Sequence, residues 1–330
     1  MSPDHGRAQR HEVPVALFAH ARPEHLRRTL DCLRRNRVPR IYAFSDGPKT
    51  AAHQETIDQV RRLLHAVDWC EITVVARPEN LGLGTSIRLG VAEVLARHES
   101  VLVFEDDLVC VDGTYDYLAA ALNHYADDRR VMSVTGWNHP RLTPAGIVDR
   151  PFFDGRAECW VWGTWRRAWT GMDEDALTLM RRSEARGLDP YAWGSDLVEM
   201  AGTEAARNIW AVRFIYLHIL HRGLCMRPPY SLVEHIGFDA DATNAIDADG
   251  WTNPALRPCP PIPAAWPEPV EHPGSRALAI AAFGRRPEAQ RRSFGRGLRS
   301  TVRRVLPSSV VRTFRRWRAA PNADPTQEIA

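Results

Sequence analysis

The sequence predicts an α/β protein built on a doubly wound, mostly parallel sheet with helices on both faces. Two observations carry that expectation. Short β-rich runs alternate with amphipathic helical stretches through the first 135 residues, and strands joined by helices of that length pair in parallel. In order, VPVALFA (13–19) reads as a buried strand. Arg22-Pro23 follows, with Pro23 suited to a first helical turn, and the helix runs to about Arg35 with Leu26, Leu30 and Leu33 on one side. IYAFSD (41–46) is a second strand, ended by Gly47-Pro48, and a helix carrying Ile57, Val60, Leu63 and Leu64 follows. EITVVA (71–76) is a third strand; Arg77-Pro78 opens a turn, and Asn80 to Gly84 lead into a helix through Leu95. VLVFE (101–105) is a continuous apolar strand, and VMSVTG (131–136) is another beyond a helix at about 114–126. Beyond residue 150 a Trp-rich segment spans 152–172, helix is expected over 203–222, and GLCMRPPYSLV returns to extended structure.

Composition sets limits on function. With 44% hydrophobic and 25% charged residues, the 330-residue chain has globular values and room for a large core. No apolar run approaches the roughly 18–20 residues that span a bilayer. The polar start MSPDHGRAQRHEV has no apolar signal core, so a cytoplasmic location is expected. Six scattered cysteines without a CxxC pair suit free thiols better than a disulfide framework or a zinc site. The net charge of +3 hides an asymmetry: residues 271–330 carry 13 Arg and no Lys against 4 acidic residues, so the body is mildly acidic. The expected organisation is a disordered 1–12, a catalytic domain over 13–250 with halves 13–136 and 137–250, a Pro-rich linker over 251–290 and a basic tail over 291–330.

In a doubly wound sheet, ligands bind outside the carboxyl ends of the strands. Asp46, the Asn80–Gly84 turn and Glu105-Asp106-Asp107 would all meet at one such edge. Three consecutive carboxylates repel one another and call for a hard divalent cation or water, and oxygen-only ligation suits Mn²⁺ or Mg²⁺. A solvated acidic turn is the plain structural alternative.

The stretches PVALFAHARPEHLRRTLDCL, AFSDG, VLVFEDDLV and MSVTGWN resemble the GT-A fold glycosyltransferases. The likeness is to the alpha-mannoside N-acetylglucosaminyltransferase I family and its bacterial relatives. It continues through FFDGRAECWVWGTWRRAW and GLCMRPPYSLVEHIG, over about residues 13 to 245. The resemblance implies a UDP-sugar donor and sugar transfer to a hydroxyl acceptor, with inversion, in bacterial-type surface glycan synthesis. Asp107 would then bind the metal, Asp106 lie against the ribose and Glu105 orient the loop. Ala19 and Arg22 match a segment that contacts the nucleotide. Asp46 matches an acid that hydrogen-bonds uracil, and a carboxylate is a suitable acceptor for its N–H; an Asx-turn before Gly47-Pro48 is the alternative. Asn80 and Gly82 resemble a turn that lets the backbone approach the donor, and Arg88 is a weaker candidate beside them. Trp160, Trp162, Trp165 and Trp169 would either line an acceptor cleft or form a packed lid.

Two departures from the family pattern stand out. An inverting transfer needs a base, and the family's acidic pair before a Trp is replaced by Asn208-Ile209-Trp210. Asp196 and Glu158 are the substitutes proposed from sequence, with Glu199 and Glu204 nearby. The second departure is Asn244, where many relatives have a His after Thr; His235 lies close by in sequence. The tail mixes Arg with Phe294, Leu298, Val302, Phe314 and Trp317 in two stretches split by Pro307. That pattern suits an anionic leaflet, hence a peripheral place on the inner face of a membrane near a lipid-linked or glycan acceptor; docking on the body is the alternative. Nucleic acid is not expected as a partner. A sugar nucleotidyltransferase would want a Gly-rich, Lys- or Arg-bearing loop after the first strand, which His20-Ala21-Arg22-Pro23-Glu24 does not supply. A degenerate, non-catalytic binder is the remaining alternative, supported by the missing acidic pair.

Overall fold

A computed structural model of the chain describes residues 12–237 and 253–285. All of these belong to one compact unit that ends at Arg285. The basic tail, Asn244 and the first 11 residues lie outside the described residues.

The elements follow in chain order: β1 Val15–Ala19, α1 Pro23–Arg35, β2 Arg40–Ser45, α2 Gln54–His65, β3 Glu71–Ala76, α3 Leu83–Arg97, β4 Ser100–Glu105, β5 Leu108–Cys110, α4 Thr114–His124 and β6 Val131–Thr135. Next come β7 Phe152–Asp154, β8 Trp162–Trp165, α5 Arg166–Trp169, α6 Ala176–Ala185, α7 Asp196–Arg207, α8 Ala211–His221, β9 Leu224–Arg227, β10 Val233–His235 and α9 Ser275–Phe283. Eight strands form one sheet in the order β3-β2-β1-β4-β8-β6-β9-β7, and β10 pairs with β5 in a second, two-stranded sheet. The β3–β2, β2–β1, β1–β4 and β6–β9 pairs are parallel; β8 runs antiparallel to both its neighbours, and β7 antiparallel to β9. The fold is thus the expected Rossmann-like α/β class.

Alternation along the strands builds two cores. Val15, Leu17, Ile41, Ala43, Leu102 and Phe104 pack with Leu26, Leu30, Leu33, Val60 and Leu118 on one side of the sheet. Ala16, Phe18, Phe44, Val101 and Val103 pack with Ile87, Val91, Val94 and residues of α6 to α8 on the other. Successive strand residues point to opposite faces, so runs that look uniformly apolar serve both layers. Each fully buried Leu or Val contributes about 1.5–3 kcal/mol.

The second half departs from the sequence expectations in three places. Residues 203–222 are two helices, α7 and α8, because Asn208 sits left-handed at φ 51° and turns the chain. The Trp-rich segment supplies β8, inserted between β4 and β6, so the two expected halves interlock in one sheet. The Pro-rich stretch holds α9, whose Ala279 is buried in the second core. Among the described residues no helix is long and apolar enough to cross a membrane.

Candidate active site

The register sets the ends of β1, β2, β3 and β4 side by side: Ala19 lies opposite Ser45, Ser45 opposite Ala76, and Phe18 opposite Glu105. Their loops are sewn together at this edge. The His20 backbone N–H donates to Asp106 Oδ2 at 2.7 Å. Asp46 Oδ1 accepts from Arg77 Nη1 at 2.9 Å and from the Ser86 hydroxyl at 3.1 Å, while Asp46 Oδ2 accepts from the Leu81 backbone N–H at 3.1 Å. Asn80 Nδ2 donates to the Gly47 carbonyl at 3.2 Å, and Asn80 Oδ1 accepts from the Gly82 N–H at 3.1 Å. Gly82, at φ 72°, takes a conformation that L side chains avoid, and a Cβ there would meet the Asn208 amide.

The acidic turn after β4 is fixed from behind. The Thr29 hydroxyl of α1 donates to the Asp106 carbonyl at 2.8 Å, and the Ile236 N–H donates to the Asp107 carbonyl at 2.8 Å. Arg22 Nη1 meets Asp107 Oδ2 at 2.9 Å. Asp107 Oδ1, by contrast, is buried with no hydrogen-bond partner. Burial first, then Asp107 and Asp106, push the Glu105 carboxyl far above its ordinary range, with Arg22 opposing. Burial and Asp107 push Asp106 up to about 8, against the opposing pull of the His20 N–H and Arg22.

This donor set fits a hard divalent cation. A buried carboxylate oxygen without a partner is unfavourable, and three crowded acids relieve their repulsion by sharing a positive charge. Among the described residues no three His, Cys, Asp or Glu side chains converge as ligands for one ion. A cation at Asp107 would therefore complete its shell with water and phosphate oxygens, the manner in which Mg²⁺ binds.

Beyond β4 the site continues into the second half. Half-buried Trp160 packs against Trp137 at 5.2 Å and against the His235 ring at 4.9 Å, and His235 Nε2 stands 3.8 Å from Asp107 Oδ2. Trp162, Trp165 and Trp169 are buried; Trp162 stacks against both Trp169 and Trp210, which also touch each other. Of the four tryptophans, Trp160 is the one that packs on His235, beside the acidic turn.

The acids proposed as bases have different fates. Asp196 gives both oxygens to Arg156, at 3.1 and 2.6 Å. Glu158 Oε1 accepts from Arg227 Nη2 at 3.0 Å. Arg227 is fully buried and also pairs with Asp154. Glu204 is tied to Arg213 and to the Ala176 N–H. Asn208, at the position where an acidic pair was looked for, accepts from the Thr85 hydroxyl at 3.1 Å and donates to the Leu81 carbonyl at 3.2 Å. It locks the Gly82 turn.

The structure therefore gathers Ala19, Arg22, Asp46, Asn80, Gly82, Glu105, Asp106 and Asp107 at one edge. Arg88 stands apart, in α3 beside Arg213 and Glu204, with its pKa lowered by burial and by Arg213. Sequence reasoning missed His20, Thr29, Arg77 and Ser86, which hold the loops. Arg77 follows the third strand directly, and that position was its available signal. A cavity of about 310 Å³ lined by Arg186, Leu188, Leu220, His221 and Arg222 lies elsewhere, at the C-terminal ends of α6 and α8, and contains none of these acids.

No protein-family model matches this chain, and no curated protein matches it. Solved structures give partial likenesses. One is mannosyltransferase PcManGT from Pyrobaculum calidifontis in complex with GDP-Man and Mn²⁺, at 17% identity and a TM-score of 0.36, covering 52% of this chain and 51% of that one. This chain thus spans about half the length of that relative. A second is 4-diphosphocytidyl-2C-methyl-D-erythritol synthase from Anaerococcus prevotii DSM 20548, at 14% identity and a TM-score of 0.32, covering 51% and 77%. A third is A197 from STIV, at 8% identity and a TM-score of 0.31, covering 67% and 83%.

Proposed function

We propose that the chain is a divalent-cation-dependent glycosyltransferase that moves a sugar from a UDP-sugar to a hydroxyl of a glycan or lipid-linked acceptor, with inversion, in surface glycan synthesis. The observation that carries this reading is Asp107: a buried carboxylate with an unpartnered oxygen, just past a strand's carboxyl end and directly after two further acids. Asp107 would hold Mn²⁺ or Mg²⁺, which neutralises the diphosphate as it departs. Arg22, beside Asp107, adds a fixed positive charge at the same place. Asp106 and the His20 backbone shape the wall where a ribose would lie. Asp46 supports the uracil side through the turn it builds.

Inversion requires an acceptor oxygen to form a bond to the anomeric carbon as the bond to diphosphate breaks, with the acceptor proton passing to a base. Glu158 suits that role better than Asp196. Only its Oε1 is taken by Arg227, whereas both Asp196 oxygens are held by Arg156. Trp160, next in sequence but one, offers an indole on which a sugar ring stacks.

A hydrolysis and transfer screen over many nucleotide-sugars with Mn²⁺ tests the reading. Wild type is expected to turn over a UDP-sugar, and Asp107→Ala to lose at least about a hundredfold in rate, in line with removal of an electrostatic stabiliser. Nucleotide binding with no turnover of any donor would identify a degenerate binder instead.

A further inference from the structure

Two cysteines meet where α1 packs on β5. Cys32 lies one helical turn beyond Thr29 in α1, and Cys110 ends β5, the strand that follows Asp107. Their sulfurs are buried and 3.4 Å apart. The Cys110 N–H donates to Cys32 Sγ at 3.1 Å, and the Cys32 thiol lies 3.3 Å from the Cys110 carbonyl. Asn36 Nδ2 reaches both sulfurs, at 3.8 Å for Cys32 and 3.6 Å for Cys110, and Asn36 Oδ1 accepts from the Tyr115 N–H at 3.2 Å. Sugar transfer as derived above uses neither thiol.

The surroundings make the two sulfurs unequal. The bond with the Cys110 thiol, foremost, holds the Cys32 thiol below its ordinary range; burial opposes this, and the Cys110 N–H and Arg35 assist. Cys110 is pushed the other way, by its bond with Cys32 and then by burial. One sulfur is thus suited to attack as thiolate and its neighbour to resolve the product.

We propose that Cys32 and Cys110 form a peroxide-sensitive dithiol switch, closing reversibly to a disulfide that displaces the acidic turn. The Cys32 thiolate attacks one oxygen of hydrogen peroxide and becomes a sulfenic acid, while the O–O bond breaks and the leaving hydroxide is protonated to water. Cys110 then gives up its proton, attacks that sulfur and expels its oxygen as a second water. The two sulfurs lose two electrons in all, and the peroxide gains them. A disulfide is about 2.05 Å long, so the sulfurs close by roughly 1.4 Å from their present separation. Thr29, on the same helix, donates to the Asp106 carbonyl at 2.8 Å and to the Leu108 carbonyl at 3.2 Å. A shift of α1 against β5 is therefore passed to the backbone that carries Asp107. This coupling rests on the reading of Asp107 as the cation's ligand; the disulfide does not.

The test exposes the full chain to hydrogen peroxide, removes it by desalting and maps disulfides by mass spectrometry without reduction. Wild type, Cys32→Ser and Cys259→Ser are compared, since half-buried Cys259 is the other thiol near Cys110, and circular dichroism follows folding. Wild type and Cys259→Ser are expected to yield the Cys32–Cys110 cross-link, which dithiothreitol reverses, and Cys32→Ser to yield none. Mn²⁺ affinity, read by electron paramagnetic resonance, is expected to fall about tenfold on oxidation of wild type, the effect of disturbing the support behind a metal ligand. It is expected to recover with dithiothreitol and to be untouched by peroxide in Cys32→Ser. No cross-link in wild type, a Cys110–Cys259 cross-link in its place, or equal Mn²⁺ affinity in the oxidised and reduced chain would each overturn the proposal. If reduced wild type bound no Mn²⁺, the reading of Asp107 would fall and the coupling with it, while the peptide map would still decide the disulfide.

Discussion

Asp46 and Asp107 are both acids at strand ends, yet their surroundings differ in kind. Asp46 is buried, and its oxygens take donors from Arg77, Ser86 and Leu81; Asp107 keeps one oxygen with none. The first ties the loop after β2 to the loop after β3 and to α3, and the second keeps an oxygen without a donor. Replacing Asp46 by Ala leaves the Arg77 guanidinium buried without its anion, a change worth about 3 kcal/mol of stability. Urea unfolding of Asp46→Ala is expected to show that loss, with no ligand present. An unchanged unfolding free energy would exclude the bracing role. In sequence the two acids share an apolar strand before them, and only the run of three carboxylates sets Asp107 apart. The run of three carboxylates showed that charge had to be neutralised, but not that Arg22 and the His20 N–H supply part of the answer. Those partners come from loops 85 or more residues away in the chain, and no local pattern announces them.

At the scale of elements, the first 135 residues were legible almost throughout, because each run there is either a clean strand or a clean amphipathic helix. EITVVA became β3 over the same residues, and Pro23 opens α1 as expected. The second half was read less well for identifiable reasons. Asn208 looks like an ordinary polar residue within a helical pattern, and its left-handed conformation depends on contacts with the Gly82 turn. Trp162 belongs to a central strand, yet a run of tryptophans at short spacing fits a lid equally well. α8 also carries a buried histidine that nothing in the sequence marks. His218 Nδ1 lies 2.8 Å from the Phe214 carbonyl and Nε2 2.8 Å from the Ser133 hydroxyl. Burial, foremost, pushes its pKa down to about 4, with the Phe214 bond opposing and His221 assisting. The unfolded chain, with an ordinary value near 6.5, holds the extra proton between those limits. The stability that His218 contributes is therefore complete above about pH 6.5 and is lost as pH falls toward 4, up to about 3 kcal/mol. Unfolding free energies measured from pH 7 to 4.5 are expected to fall more steeply in wild type than in His218→Gln, and parallel curves would exclude the assignment.

Over the whole molecule the charge is divided as sharply as the structure. The compact unit ends at Arg285, and α9 is tied back to the body just before that point by the Ser195 N–H, which donates to the Gly284 carbonyl at 3.1 Å. Residues 286–330 carry 11 Arg and 3 acidic residues. Each Arg near an anionic leaflet contributes about 1 kcal/mol, so even a part of this set reaching the surface gives measurable binding, and the interspersed Phe294, Phe314 and Trp317 add apolar anchors. A body of net negative charge would be repelled by the same surface. Of the two parts of the chain, the tail is the one whose charge suits an anionic surface. The full chain is expected to sediment with phosphatidylglycerol vesicles and not with phosphatidylcholine vesicles, with binding that weakens as salt shortens the Debye length. A chain ending at Arg285 is expected to stay in the supernatant with both and to retain donor hydrolysis, since Asp107 and every loop that frames it lie before the cut. If the truncated chain sedimented equally well, the anionic surface would have to be met by the body. If the full chain bound neither vesicle, the tail's arginines would not serve an anionic surface.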